Sequence, residues 1–178
     1  AIAYMSSGNQ IHATWESGNY ISDMQEYAPV YPTSCCSATS CWVLPDFVRS
    51  MAMRGEDGLY LTAYGPCEIH AGDLHIEEDT AYPFRDTIRF TIHADEEVQE
   101  ILHFRVPGWC KNASIAVNGE TIAENLAGGV YHAVKRIWHD GDTVELRLPM
   151  EIAVRQLDDS EMCARHPMAF GYGPLLFA

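Results

Sequence analysis

The sequence predicts a mainly β protein, an antiparallel β-sandwich preceded by an irregular segment and one helix. Apolar and polar residues alternate over several short runs after Gly55, and turn signals separate these runs. Only one stretch, before Gly55, has the period of a helix. With 178 residues, of which 47% are hydrophobic, the chain is long enough to bury a core.

The part before the strands combines the irregular segment with the single expected helix. Residues 1–34 lack Lys and Arg, are rich in Ser, Asn, Gly and Tyr, and show no sustained period, which is typical of irregular chain packed on a larger body. Between Ser37 and Arg54 apolar residues recur at helical spacing, and Gly55 ends the pattern. Pro45 must either kink this helix or mark the first turn of a shorter one.

Alternation predicts that one face of each following strand is buried. The residues expected to point inward are Ile88, Phe90, Ile92, Leu102, Phe104, Val144, Leu146 and Leu148. Asn118-Gly119 between two apolar runs is a strong hairpin signal, and residues 139–142, His-Asp-Gly-Asp, are interpreted in the same way. Turns at this spacing favour an antiparallel sandwich from about Gly55 onward.

Charge and hydropathy exclude two classes of partner. Eleven Lys and Arg against 25 Asp and Glu give a formal charge of −14, and such a surface repels a phosphate backbone or an anionic membrane. No run approaches the roughly 18 apolar residues of a membrane span, and the N-terminus lacks the pattern of a signal peptide. We therefore expect neither nucleic acid nor a membrane as a partner.

The cysteines suggest chemistry at one position. Cys67, Cys110 and Cys163 are scattered and are interpreted as small core residues. Cys35 and Cys36 are neighbours, which rarely bridge each other, and they stand directly before the expected helix. Partial positive charge at a helix start favours thiolates, which are nucleophiles and zinc ligands. Two thiolates supply only half of a zinc site, so from spacing alone the pair is either a metal or catalytic site or structural.

The other chemistry-bearing residues give weaker signals. Eight histidines are scattered, and none forms an i, i+4 metal pair on a plausible helix, so each is interpreted as a surface or packed residue. The run Glu77-Glu78-Asp79 is interpreted as a solvated strand edge.

Several stretches, in order along the chain, carry a resemblance to a known family. They are residues 31–39 (YPTSCCSAT), 46–51 (DFVRSM), 57–60 (DGLY), 78–84 (EDTAYPF), 105–109 (RVPGW), 140–142 (DGD) and 173–175 (GPL). Together they resemble glycoside hydrolase family 127, the β-L-arabinofuranosidase type, over nearly the whole chain. The first three resemble the region where the barrel of that family joins its sandwich.

The resemblance implies a longer parent protein with an N-terminal (α/α)₆ barrel. Residues 1–54 would be the C-terminal tail of that barrel and residues 55–178 the β-sandwich domain. Because the chain begins without Met and ends in an apolar run, we expect both ends to be cuts in this parent. Cys35 would be the nucleophile and a zinc ligand, and Cys36 a second zinc ligand. The acid/base Glu, a ligand Glu and a third Cys would precede Ala1, so the segment alone should not catalyse.

The expected activity is that of a retaining glycosidase that removes β-L-arabinofuranosyl residues from a carbohydrate substrate. Cys41 matches no ligand position of the family and is interpreted as a packing residue of the helix. Two alternatives stay open: a non-catalytic sandwich that braces a barrel or binds glycans, and a free-standing zinc protein. Exposed Trp and Tyr on one sheet face would favour glycan binding, whereas buried Trp109 and Trp138 would favour bracing. Reduced thiols favour a cytoplasmic location.

Overall fold

The computed structural model describes residues 35–156 and 168–177, and the chain divides into two units at Arg49–Ser50. In these described ranges there are one helix and thirteen strands: α1 (Cys35–Arg49), β1 (Ala52–Arg54), β2 (Leu59–Leu61), β3 (Cys67–Ala71), β4 (Leu74–Thr80), β5 (Thr87–His93), β6 (Val98–Val106), β7 (Ala113–Val117), β8 (Glu120–Leu126), β9 (Val130–Trp138), β10 (Thr143–Arg147), β11 (Ile152–Gln156), β12 (Met168–Tyr172) and β13 (Leu175–Phe177). The helix in this part of the chain is too short and too polar to cross a bilayer.

Helix α1 differs from its predicted span at both ends. It begins at Cys35 rather than Ser37, and it ends at Arg49 rather than Arg54, with Pro45 inside it. The apolar period is continued by Met51, but the carbonyl of Met51 accepts a 2.8 Å hydrogen bond from the amide of Thr62. Pairing with β2 then draws the next three residues into strand β1. Pairing with the next strand along the chain therefore overrides the helical pattern at this end.

The strands of the second unit form three sheets. Their orders are β1-β2-β6-β9, β3-β4-β5-β10-β7-β8 and β11-β12-β13, which we call sheets A, B and C. Pairing is antiparallel except between β2 and β6, which run parallel. The rings of Phe90 on β5 and Phe104 on β6 meet edge to face with centroids 5.3 Å apart, which joins sheets A and B in one core. The predicted β-sandwich is confirmed, with one parallel pair that the sequence pattern did not indicate.

The predicted core is also confirmed. All eight residues expected to point inward have no exposed surface. Trp138, at the end of β9, is equally buried, and its indole N–H donates to the carbonyl of Glu100 at 3.1 Å. Side chains at alternate positions of β5, β6 and β10 therefore fill the space between the two larger sheets.

Of the two predicted hairpins, one is confirmed and one is wrong. Asn118 and Gly119 both have positive φ, 52° and 81°, and join β7 to β8 in a tight turn. Residues 139–142 instead connect β9 of sheet A to β10 of sheet B. Asp142 ties this connection to the hairpin, because its carboxylate accepts from the Asn118 amide at 2.7 Å and from the His139 backbone N–H at 3.0 Å.

Candidate functional site

The two cysteines singled out by the sequence open helix α1. Cys35 and Cys36 are its first two residues, and thus lie inside the first turn rather than before it. Their side chains fall outside the described part of the structure. The first amides of a helix have no intrahelical partner and carry partial positive charge, so this position favours a thiolate. No acidic residue occupies the first turn to oppose that effect.

Cys41 belongs to another side of the same helix. It is exposed in the described structure, and its interpretation as a packing residue of the helix stays a prediction. Six residues of α-helix separate it from Cys35, which corresponds to a rotation of about 240° and a rise of about 9 Å. That offset is incompatible with one metal ion bound by both thiols.

Helix α1 also exposes an apolar surface. The exposed large hydrophobic residues of the helix are Trp42, Val43, Leu44, Phe47 and Val48. Trp42 is the most exposed of them, at 71%. Contiguous apolar surface of this kind is typical of an interface with another protein surface.

A row of three histidines lies across the outer face of sheet B. His70 on β3 is directly opposite His75 on β4, and His75 is directly opposite His93 on β5. The neighbouring residues Ile69, Ile76 and Ile92 point into the core, so the three imidazoles share the solvent side of the sheet. The rings of His70 and His75 stack with centroids 4.3 Å apart. The histidines that seemed scattered along the chain are therefore clustered in space.

Carboxylates surround this row. Glu68 Oε2 lies 3.7 Å from the Nε2 atoms of both His70 and His75. His93 has carboxylates of its own, with Glu77 Oε2 at 3.7 Å from Nε2 and Asp140 Oδ1 at 3.6 Å from Nδ1. Next to the row, a polar cavity of about 890 Å³ is lined by His75, His93 and residues 94–98, among others. Such a donor set can hold a cation or share protons.

A buried acid and thiol form a second polar cluster, under the same sheet. Glu78 is 2% exposed although it lies in an acidic run, so the interpretation of that run as a solvated edge is wrong at this residue. Its carboxylate accepts from the Gly65 N–H at 2.8 Å and lies 3.8 Å from the Cys67 sulfur. Burial raises the pKa of Glu78 to about 7, against the lowering effect of these two donors. Burial and the nearby Glu78 raise the pKa of Cys67 to about 11.

The family model for the GH127 β-L-arabinofuranosidase middle domain matches residues 58–150, more than half of the chain. The chain belongs to the GH127 family. No curated protein matches it. The matched residues contain sheet A without β1, and all of sheet B, so the family domain coincides with the core described above.

Solved GH127 structures have the same fold. A protein described as a glycoside hydrolase is 25% identical, with a TM-score of 0.69 over 84% of this chain. The GH127 β-L-arabinofuranosidase Ara127N-Se of Geobacillus stearothermophilus T6 is 22% identical, with a TM-score of 0.69 over 92%. The GH127 β-arabinofuranosidase BT3674 is 21% identical, with a TM-score of 0.68 over 83%. The chain spans 27%, 27% and 26% of these proteins, respectively.

The tryptophans of this GH127 domain that the structure describes are wholly or partly withdrawn from solvent. In residues 50–156 and 168–177, Trp138 is fully buried and Trp109 packs partly buried against the core. Tyr60 stacks on His103 with centroids 4.0 Å apart, and its hydroxyl donates to Asp57. The stacked His103 ring covers one face of the Tyr60 ring. Burial of the two tryptophans favours bracing over glycan binding.

Sequence reasoning located the cysteine pair but missed the histidine row. The search for metal pairs considered i, i+4 spacing on helices, whereas these ligand atoms meet across strands. A local signal is present in residues 70–75, His-Ala-Gly-Asp-Leu-His: the two histidines flank a short turn in which Gly72 has φ +69°. Two histidines that flank a hairpin turn at equal distances must face each other.

Proposed function

We propose that this chain is part of a retaining glycoside hydrolase that removes β-L-arabinofuranosyl residues, with Cys35 as nucleophile. The match of the GH127 family model to residues 58–150 carries the proposal. The position of Cys35 as the first residue of α1 supports the assignment of the nucleophile, because a helix start favours the thiolate. The substrate class follows from the name of the family and of its solved relatives.

The chemistry proposed for Cys35 is a double displacement. The thiolate attacks the anomeric carbon, the glycosidic C–O bond breaks, and an upstream carboxylic acid donates its proton to the leaving oxygen. Water then breaks the C–S bond of the glycosyl-thioether and gives its proton to the same carboxylate. Two inversions at one carbon give net retention. The acid is expected upstream of Ala1, so we expect the chain alone to be inactive.

Zinc is the metal that the family resemblance implies, and Cys35 and Cys36 would hold it. The donor chemistry fits, since thiolates are preferred ligands of zinc. When bound, the ion would favour the ionised form of the attacking thiol. Two further ligands are expected upstream of Ala1, so this pair alone should hold zinc only weakly.

An upstream (α/α)₆ barrel is the partner that we propose for α1. The exposed apolar residues of the helix, among them Trp42 and Phe47, support this arrangement. Burying such side chains against a barrel would remove apolar surface from water. Buried Trp138 supports a bracing role for the sandwich within the same enzyme, which makes bracing a part of this proposal rather than its rival.

The first prediction compares single cysteine variants of the full-length protein. Cys35→Ser should lose nearly all turnover of an aryl β-L-arabinofuranoside, because a serine hydroxyl is a far poorer nucleophile without an adjacent base. Cys36→Ser should act mainly through weaker zinc binding, and added zinc should restore part of its activity. The measurements are steady-state kinetics and zinc content.

Cys41→Ser is the matched control, since Cys41 lies on the same helix but on another side of it. It should retain full turnover. An arabinofuranose-based haloacetamide should label the peptide that contains Cys35, as read by mass spectrometry. A label on Cys36 or Cys41, or appreciable activity of Cys35→Ser, would show that the nucleophile is misassigned.

A further inference from the structure

We propose that the outer face of the β3–β4 hairpin is a binding site for a divalent transition-metal ion of the zinc type. The ligands are the Glu68 carboxylate and the Nε2 atoms of His70 and His75, which all lie within 4.8 Å of one another. This site lies in the second unit and uses none of the cysteines. It goes beyond the proposed glycosidase function and does not depend on it.

The sheet fixes the positions of all three ligands. His70 and His75 are a directly opposed cross-strand pair, whose Cβ atoms are held about 5 Å apart by the antiparallel ladder. Glu68 is two residues before His70 on β3 and therefore points to the same face. Three donors on one rigid hairpin lose little entropy on binding an ion.

The distances are close to those of a bound ion. The Glu68 Oε2 atom lies 3.7 Å from each imidazole Nε2, whereas ligand atoms in tetrahedral zinc sites are separated by about 3.4 Å. The side chains of Glu68 and His70 are 66% and 69% exposed, so both can rotate to close this difference. Such a rotation would also turn the His70 ring out of its stack on His75.

His75 gives an independent indication of a missing partner. Its Nε2 atom is buried from solvent and makes no hydrogen bond. A buried polar atom without a partner costs free energy, and a ligand at this point would remove that cost. The same Nε2 atom lies 3.7 Å from Glu68 Oε2, so the unsatisfied atom is itself one of the proposed ligand atoms.

The donor set selects the class of ion. Two imidazoles and one carboxylate suit Zn²⁺, Ni²⁺ or Cu²⁺, whereas Mg²⁺ and Ca²⁺ prefer oxygen donors alone. Three protein ligands leave a fourth position for water or for a ligand from another molecule. His93 is next in the row, with its ring centroid 5.3 Å from that of His75, but it already faces Glu77 and Asp140.

A bound ion would link β3 to β4 at one edge of sheet B. Among the strands that the structure describes, β3 is at the edge of sheet B and has β4 as its one neighbour. An ion shared by Glu68, His70 and His75 would join the two strands through their side chains. The proposed role is therefore structural. The ion would strengthen the attachment of β3 to β4, which otherwise depends on one ladder of backbone hydrogen bonds.

The test is a zinc titration of the full chain by isothermal calorimetry near neutral pH, in a Cys35→Ser/Cys36→Ser background. We expect one ion per chain. His70→Gln and His75→Gln should each lower the affinity at least about tenfold, since loss of even an indirect partner of a metal costs that much. The matched control is His132→Gln, on β9 of sheet A, which should bind as the background does. Magnesium chloride should give no binding.

A second measurement uses the unsubstituted chain, so it does not depend on correct folding of the cysteine variants. The unsubstituted chain, with its thiols blocked by N-ethylmaleimide, should show zinc-dependent shifts of the His70 and His75 imidazole nitrogens by NMR. The proposal is overturned if zinc shows no saturable binding up to millimolar concentration. It is equally overturned if the affinity is the same in His70→Gln, His75→Gln and the control.

Discussion

Glu78 shows how one buried carboxyl makes stability depend on pH. Burial raises its pKa from 4.5 to about 7, and the Gly65 N–H and the Cys67 thiol offset only part of this effect. The folded state therefore holds the proton more tightly than the unfolded state. As the pH rises from about 4.5 to about 7, the unfolded chain loses this proton first, so the free energy of unfolding falls over that range.

The second prediction follows from this sign. Glu78→Gln should abolish this fall in the free energy of unfolding. The amide keeps an acceptor for the Gly65 N–H but does not ionise. The variant should match the parent near pH 4 and exceed it above about pH 7, by up to about 3 kcal/mol. Urea unfolding at several pH values measures the difference. Glu120→Gln, at an exposed position of β8, is the control and should stay parallel to the parent chain. A constant gap between Glu78→Gln and the parent would mean that Glu78 titrates normally.

Individual side chains also show what the sequence could and could not predict. Cys35 and Cys36 were singled out because their signal is local, two adjacent thiols before a helical pattern, and their role stays a prediction. The burial of Glu78 was missed because its neighbours Glu77 and Asp79 are exposed, and alternation along β4 assigns only the middle acid to the core. The three acids were treated as equivalent, although side chains of a strand point alternately to its two faces.

Strand β2 illustrates a pairing that no local pattern indicates. It runs parallel to β6, with Leu59 opposite Leu102, and parallel neighbours need a long connection between them. The strands approach closely where β2 begins. A Cβ atom on Gly58 would lie 2.3 Å from the carbonyl oxygen of Ile101. Since that oxygen belongs to the backbone of β6, it cannot move aside as a flexible side chain would.

The third prediction uses this close approach. Gly58→Ala should lower the free energy of unfolding by about 2 kcal/mol or more, because the strand pair must separate to admit the methyl group. Gly108→Ala is the control, since a Cβ atom there meets nothing within 4 Å, and it should change stability by less than about 1 kcal/mol. Chemical denaturation of both variants gives the comparison. Equal stability of the two would contradict the parallel β2–β6 pairing.

Elements as a class were predicted best where their signal is local. The alternation in β5, β6 and β10 and the Asn118-Gly119 turn were read correctly from neighbouring residues. The wrong assignments share a different cause. The end of α1 and the loop 139–142 depend on which strand pairs with the residues that follow, and the residues of the helix end and of the loop do not indicate that choice.

In the described part of the chain, a hydrophobic core is preceded and followed in sequence by segments with exposed apolar side chains. The core cluster of the described residues extends from Leu59 to Leu148. Helix α1 and sheet C instead contribute most of the exposed large hydrophobic residues, such as Trp42 and Leu176. The family match over residues 58–150 has nearly the same limits as the core. The core cluster and the family domain therefore cover nearly the same residues.

The last prediction is that residues 50–178 fold without α1. Among the described residues, the core cluster and the side chains packed against it all follow Arg49, so removing residues 1–49 should leave a cooperative unfolding transition and a near-ultraviolet circular dichroism spectrum. Phe104→Ala in this shortened chain should cost about 3–5 kcal/mol, since Phe104 has no exposed surface. Phe84→Ala should cost little, because Phe84 is 73% exposed. Gradual unfolding with strong dye binding, or equal effects of the two substitutions, would show that the core requires the first unit to close.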